Sequence, residues 1–301
     1  MKSNQSRLLT SQARWARFFR HPLTRALLAS FGVALAAGLA YSLAEAAAPK
    51  PARIMWPHLL AAAAVMLAYW VYVRVLEGRP VFEFALRGAA VELATGCGIG
   101  AAAVVTVLAV LYTGGGYHPL TLNPWSLEIA IPIAEMAFVG VFEEVLCRAV
   151  IFRLAEESFG SRAALMLSAL LFGLAHIPGG RLGALAFIVA MVAGLVFSGA
   201  FMLTRTLWLC VGIHAAWNYT LGSIFSISVS GRPAHGLVNG TLSGPEWLTG
   251  GAYGLEGSAV TLAVLSLLAA ALLWQAGRKG QVVNWRALPP AHASAGPAAI
   301  F

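Results

Sequence analysis

The sequence predicts an all-α polytopic membrane protein, a bundle of about eight transmembrane helices. Three observations carry that reading. The 301-residue chain is 59% hydrophobic and 11% charged, with a mean hydropathy of +0.77, whereas soluble domains carry about a quarter charged residues. Its apolar residues fall in runs near the ~20 needed to cross a bilayer as helix. Its basic residues sort to one side of the layout those runs impose. The formal charge of +8 is therefore read as positive charge at the cytoplasmic ends of helices. The lipid bilayer is the expected partner, and nucleic acid is not.

Taken in order, residues 1–23 form a basic cytosolic lead-in. Residues 24–125 hold the amino-terminal transmembrane helices, at about 24–48, 57–76 and 91–113. Residues 126–225 form a helical core, with runs at about 126–153, 162–177, 182–203 and 207–225. Residues 226–257 read as one outer loop, rich in Gly and Ser, that is placed to cap a mouth of the bundle. Residues 258–301 are the last transmembrane helix, about 258–275, and a cytosolic tail. Connections are short and marked by Gly or Pro, as in "TGGGYHPLTLNP" and "HIPGGR".

With the amino terminus inside, all of the 20 basic residues except Lys50, Arg53, Arg181 and Arg232 fall on the cytosolic side. That is the positive-inside pattern, and it puts both termini in the cytosol. The stretch "AEAAAPKPA" from Ala44 resembles a signal-peptide cleavage region. The first apolar run, however, exceeds the usual ~7–15 residues of a signal core and follows a long basic lead, so an uncleaved helix is expected. Cys97, Cys147 and Cys210 sit in separate apolar segments without CxxC spacing and read as packing residues.

The stretch that calls for chemistry is "FVGVFEEVLCRAVIF", Phe138 to Phe152. An ionisable group at mid-bilayer costs about 2.5–3.5 kcal/mol on insertion scales, so such groups face the bundle interior and mark function. Glu144 and Arg148 stand four apart with the acid nearer the amino end, the favourable order for an intrahelical ion pair. Glu143 points about 100° away around the helix and needs a partner from elsewhere. Two later segments offer one: "FGLAH" places Phe172 and His176 one turn apart, and "HAAWN" does the same for His214 and Asn218. Counted from the basic residues at the cytosolic boundary, Glu143 and His214 lie at similar depth, and His176 within about two turns of them.

E-E-x-x-x-R, F-x-x-x-H and H-x-x-x-N, in that order on three membrane helices, resemble the CPBP family of intramembrane proteases. That family includes type II CAAX prenyl endopeptidases and bacterial bacteriocin-processing and immunity proteins. The resemblance covers about residues 126–225. It departs from many bacterial members in having Cys147-Arg148-Ala149 where they read Phe-Arg-Gly, which keeps the arginine. The resemblance implies catalytic Glu143, His176, His214 and Asn218, supported by Glu144, Arg148 and Phe172. It also implies a membrane-associated protein or peptide as substrate. The compact, Ala-rich chain suits a bacterial cytoplasmic membrane.

Peptide hydrolysis in a membrane needs a captured water, a base and donors for the oxyanion. In one version Glu143 and His176 hold and activate the water, while His214 and Asn218 donate to the oxyanion. In the other, Glu143, His176 and His214 ligate one divalent metal ion, zinc by its ligand types, whose bound water is the nucleophile. The spacing leaves both open, and no organic cofactor is expected. The competing readings are a transporter or proton-relay protein, since buried Glu and His also mark ion pathways, and a non-catalytic, immunity-type scaffold.

Overall fold

A computed structural model describes residues 21–177 and 183–285. Nearly all of the predicted lead-in, the end of the tail, Arg181 and most of the "HIPGGR" link lie outside the described residues. Eight principal helices carry the fold: α1 Pro22–Ala47, α2 Trp56–Tyr72, α3 Ala89–Thr113, α4 Pro132–Glu144, α5 Arg153–Ala175, α6 Ala184–Thr204, α7 Trp208–Tyr219 and α8 Ala259–Arg278. Helices α2, α4 and α7 run on into π-helical turns at Val73–Glu77, Val145–Phe152 and Thr220–Ile224. Among the described residues the sheet content is a single antiparallel pair, β1 Tyr117–Leu122 with β2 Val238–Leu242. The fold is all-α.

Among the described residues, five helices are long and apolar enough to cross a membrane: α1, α2 with its π turn, α3, α6 and α8. The other three of the eight predicted spans fall short of that test for identifiable reasons. The α4 segment carries Glu135, Glu143, Glu144 and Arg148; α5 is interrupted by non-helical Gly160 (φ 80°); α7 is short even with its π turn. These are the helices that bear the three motifs.

Helix α1 shows how the bundle faces its solvent. Leu23, Leu27, Phe31, Leu35, Leu39 and Leu43, one every four residues, are exposed, while Ala29, Val33, Ala37, Ala40 and Ala44 are buried. Large residues outside and small ones inside invert the pattern of soluble helices. Lipid solvates the leucines, and the small residues let backbones approach.

The closest approach is between α3 and α7. A Cβ on Gly96 would lie 2.4 Å from Leu209 O, one on Gly100 2.3 Å from Ile213 O, and one on Gly212 2.5 Å from Leu93 O. Backbone oxygens cannot move aside as a flexible side chain can, so Gly100→Ala must push α7 away at the residue before His214. The expected result is a loss of about 1–3 kcal/mol of stability, read as a lowered melting temperature in detergent, together with lost activity.

The two ends of the bundle differ. At one end Glu77 accepts from Arg25 Nη2 and Arg153 Nη2, both at 2.8 Å, and Glu83 accepts from Arg79 at 2.8 Å. This network ties α1, α2 and α5. Beside it Arg205 pairs with Glu156. At the other end lie Lys50, Arg53, the β1–β2 pair and Arg232. The 226–257 loop is more structured than its composition suggests: it contains β2 and helical turns at Glu246–Thr249, Gly251–Tyr253 and Leu255–Gly257.

Candidate active site

The site begins where α4 passes into its π turn. Glu144, the last α-helical residue, and Arg148, in the π segment, are both fully buried, and Arg148 Nη1 donates to Glu144 Oε1 at 3.0 Å. The predicted i, i+4 pair is present. The arginine has further partners: Nη2 donates to Gly194 O on α6 at 3.0 Å, and the guanidinium lies 4.7 Å from the Phe172 ring centroid and 4.9 Å from that of Phe197. Two aromatic faces and a carbonyl thus help a charge that lipid and protein interior would otherwise reject.

Glu144 does more than serve Arg148. His214 Nδ1 lies 2.8 Å from Glu144 Oε1, and since a carboxylate only accepts, that nitrogen carries the proton. The imidazole is stacked on Phe197, with centroids 4.6 Å apart and 15° between planes. Orientation and tautomer of His214 are therefore fixed by Glu144 and Phe197 together. Its Nε2 points toward Glu143, whose Oε2 is 3.9 Å away. That is too far for a hydrogen bond. The Glu143 side chain is 31% exposed, against 0% for Glu144, and it makes no hydrogen bond to any described residue.

His176 ends α5 as its C-cap, with Nδ1 at 2.8 Å from Phe172 O and its ring 4.7 Å from that of Phe172. A carbonyl also only accepts, so here too Nδ1 carries the proton, and Nε2 makes no hydrogen bond among the described residues. His176, His214 and Asn218 line one cavity, with Phe172 and Phe197 in its wall. Glu143 lies outside that wall and approaches His214 from the α4 side. Of the residues expected from the motifs, the structure brings four to one cavity, sets Glu143 next to His214, and buries Glu144 and Arg148 behind.

Five residues of this arrangement carry no sequence signal strong enough to single them out. Phe197 and Gly194 sit in an unbroken apolar run. Ser230, Tyr253 and Glu256 come from the outer loop and line the same cavity. Glu256 accepts from Trp217 Nε1 at 3.0 Å and from the Ser230 backbone N–H at 2.5 Å. Burial, then Glu256, pushes the Tyr253 phenol up to about 12, so it faces the cavity as a neutral group. Which residues of the 226–257 loop reach the cavity was not legible in the sequence.

A metal ion would need Glu143, His176 and His214 within one coordination sphere. Among the described residues no three His, Cys, Asp or Glu side chains are gathered in that way, so the set as placed does not fit a metal centre.

Fold and site define a class: a polytopic helical membrane protein with a buried carboxylate–imidazole pair beside a cavity among its helices. Residues 124–220 match the family model described as type II CAAX prenyl endopeptidase, Rce1-like. All three motifs fall within that segment, so the resemblance they carry is supported over residues 124–220. Comparison with curated proteins and with solved structures found no match.

Proposed function

We propose that the protein is an intramembrane endopeptidase that activates water with Glu143 and stabilises the tetrahedral intermediate with His214 and Asn218. The observation that carries this reading is the 3.9 Å between the unpaired Glu143 carboxylate and Nε2 of a histidine whose other nitrogen is held by buried Glu144. A carboxylate that accepts no hydrogen bond from any described residue is free to take a proton, and a group held by two partners is not. Glu143 accordingly deprotonates a water at the cavity edge beside His214, and His176, in the wall of the same cavity, faces the substrate. The proton then passes from Glu143 to the leaving amine.

His214 has a constraint of its own. With its first proton on Nδ1, it donates from Nε2 only as imidazolium, and the Glu144 carboxylate is placed to stabilise that cation, as the acid of a catalytic triad does for its histidine. Asn218, one turn further along α7, supplies a neutral donor. One such donor is typically worth about 2.7–4 kcal/mol of barrier.

Proteomics of membranes carrying wild-type protein or Glu143→Ala tests the reading: a peptide end found only with the wild type supports it, and identical profiles count against it. Water activation by Glu143 also predicts that purified protein keeps its activity after exhaustive chelation. Activity lost with the metal and restored by zinc would reassign Glu143, His176 and His214 as ligands.

A further inference from the structure

We propose that the cleft at the turn between α1 and α2 binds the phosphate of an anionic membrane lipid, one whose headgroup carries a single negative charge and no ammonium, as phosphatidylglycerol does. The site is separate from the cavity of His176, His214 and Asn218, and it does not depend on the protease reading.

The cleft has a volume of about 160 Å³ and is lined by Tyr41 and Glu45 of α1, Lys50 and Arg53 of the turn, and His58 of α2. A helix of 26 residues such as α1 rises roughly 39 Å, more than the ~30 Å of a bilayer's hydrocarbon. The end of α1 therefore stands at headgroup level. Next to the cleft, Leu39 and Leu43 of α1 and Trp56 and Leu59 of α2 are exposed. Acyl chains cover such leucines, and a tryptophan at the start of a span belongs to the interfacial belt. A lipid lying along this hairpin puts its headgroup at the turn.

The polar groups there have unused capacity for an anion. Arg53 Nη1 donates to Glu45 Oε1 at 3.1 Å, but Arg53 Nε is buried and makes no hydrogen bond among the described residues. A buried donor on a charged group is costly to leave without an acceptor, and a phosphate oxygen supplies one. Glu45, the carboxylate of the cleft, is taken by Arg53, which leaves Lys50 without a counter-charge there. One positive charge is thus left over. A phosphodiester without an ammonium balances it, whereas a zwitterionic headgroup brings its own cation. Tyr41 Oη lies 2.7 Å from His58 Nδ1, which ties α1 to α2 beside the cleft. Both rings pack near Phe138 of α4, with centroids 5.3 and 6.4 Å away, and Phe138 stacks on Phe142, the neighbour of Glu143. A lipid held at the turn braces the hairpin against that helix.

The test uses the full-length chain, purified in detergent and stripped of lipid. It is titrated with phosphatidylglycerol, with phosphatidylcholine of the same acyl chains, or with inorganic phosphate, and bound lipid is counted by native mass spectrometry. One phosphatidylglycerol is expected to bind about tenfold more tightly than phosphatidylcholine and to resist displacement by millimolar inorganic phosphate. Lys50→Gln should weaken that binding about fivefold, as the loss of one basic residue near a headgroup does. Lys279→Gln, at an exposed lysine of the other end, should leave it unchanged. The lipid should also raise the melting temperature of the wild type more than that of Lys50→Gln. Because Lys50 is exposed, its variant keeps the fold, which the lipid-free melt checks. Absence of bound phosphatidylglycerol, equal binding of the two lipids, or an affinity that Lys50→Gln leaves intact overturns the proposal. So does an equal loss with Lys279→Gln, and so does displacement by inorganic phosphate, which would make the cleft a site for a free anion.

Discussion

Glu143→Gln is expected to abolish peptide-bond cleavage, lowering the rate by at least about 10²–10⁴-fold, the usual contribution of a positioned general base. The substitution keeps the shape of the side chain and removes its basicity. Since Glu143 is partly exposed and accepts no hydrogen bond from any described residue, membrane abundance and melting temperature should stay near wild type. Activity without fold is the signature sought, measured as cleavage of an identified substrate alongside a thermal melt in detergent. A variant that still cleaves would transfer the base role to a histidine. A phenotype unchanged by the substitution would favour a non-catalytic scaffold.

Arg148→Ala should have the opposite signature, with stability lost first. It leaves Glu144 as a buried charge short of a partner, and breaking a buried pair in this way costs about 3–5 kcal/mol, a large part of the ~5–15 kcal/mol that holds a domain together. It also empties the space between Phe172 and Phe197. Arg148→Lys keeps the charge but loses the planar fork that reaches Glu144 and Gly194 O together, so an intermediate loss is expected. The double variant Glu144→Gln with Arg148→Met removes both charges and should recover much of the melting temperature. It should not recover activity, because His214 then lacks the carboxylate at Nδ1. A double variant that regained cleavage would make Glu144 purely structural.

The sequence carried the elements well wherever physics acts locally. An apolar run of ~20 residues can only be satisfied as a membrane helix, so α1, α2, α3, α6 and α8 were legible from length and composition. The break at Gly160 and the change to π geometry at Val145 were not, since both respond to neighbours that packing supplies. The Glu144–Arg148 pair was legible because i and i+4 meet on any helix. The Glu144–His214 bond joins residues 70 apart, and nothing in the spacing distinguishes it from a bond between His214 and Glu143.

By itself, then, the amino-acid order determined a membrane bundle, one intrahelical ion pair, and three short motifs whose imidazoles had to find a carboxylate. Only the tertiary structure decided which carboxylate: glycine contacts between α3 and α7, and Phe197 against the imidazole ring, aim Nδ1 of His214 at buried Glu144 and leave Glu143 open. The physical reason is range. Helix formation, and the cost of charge in lipid, are fixed residue by residue, whereas the direction of a side chain across a bundle depends on how closely two backbones can approach.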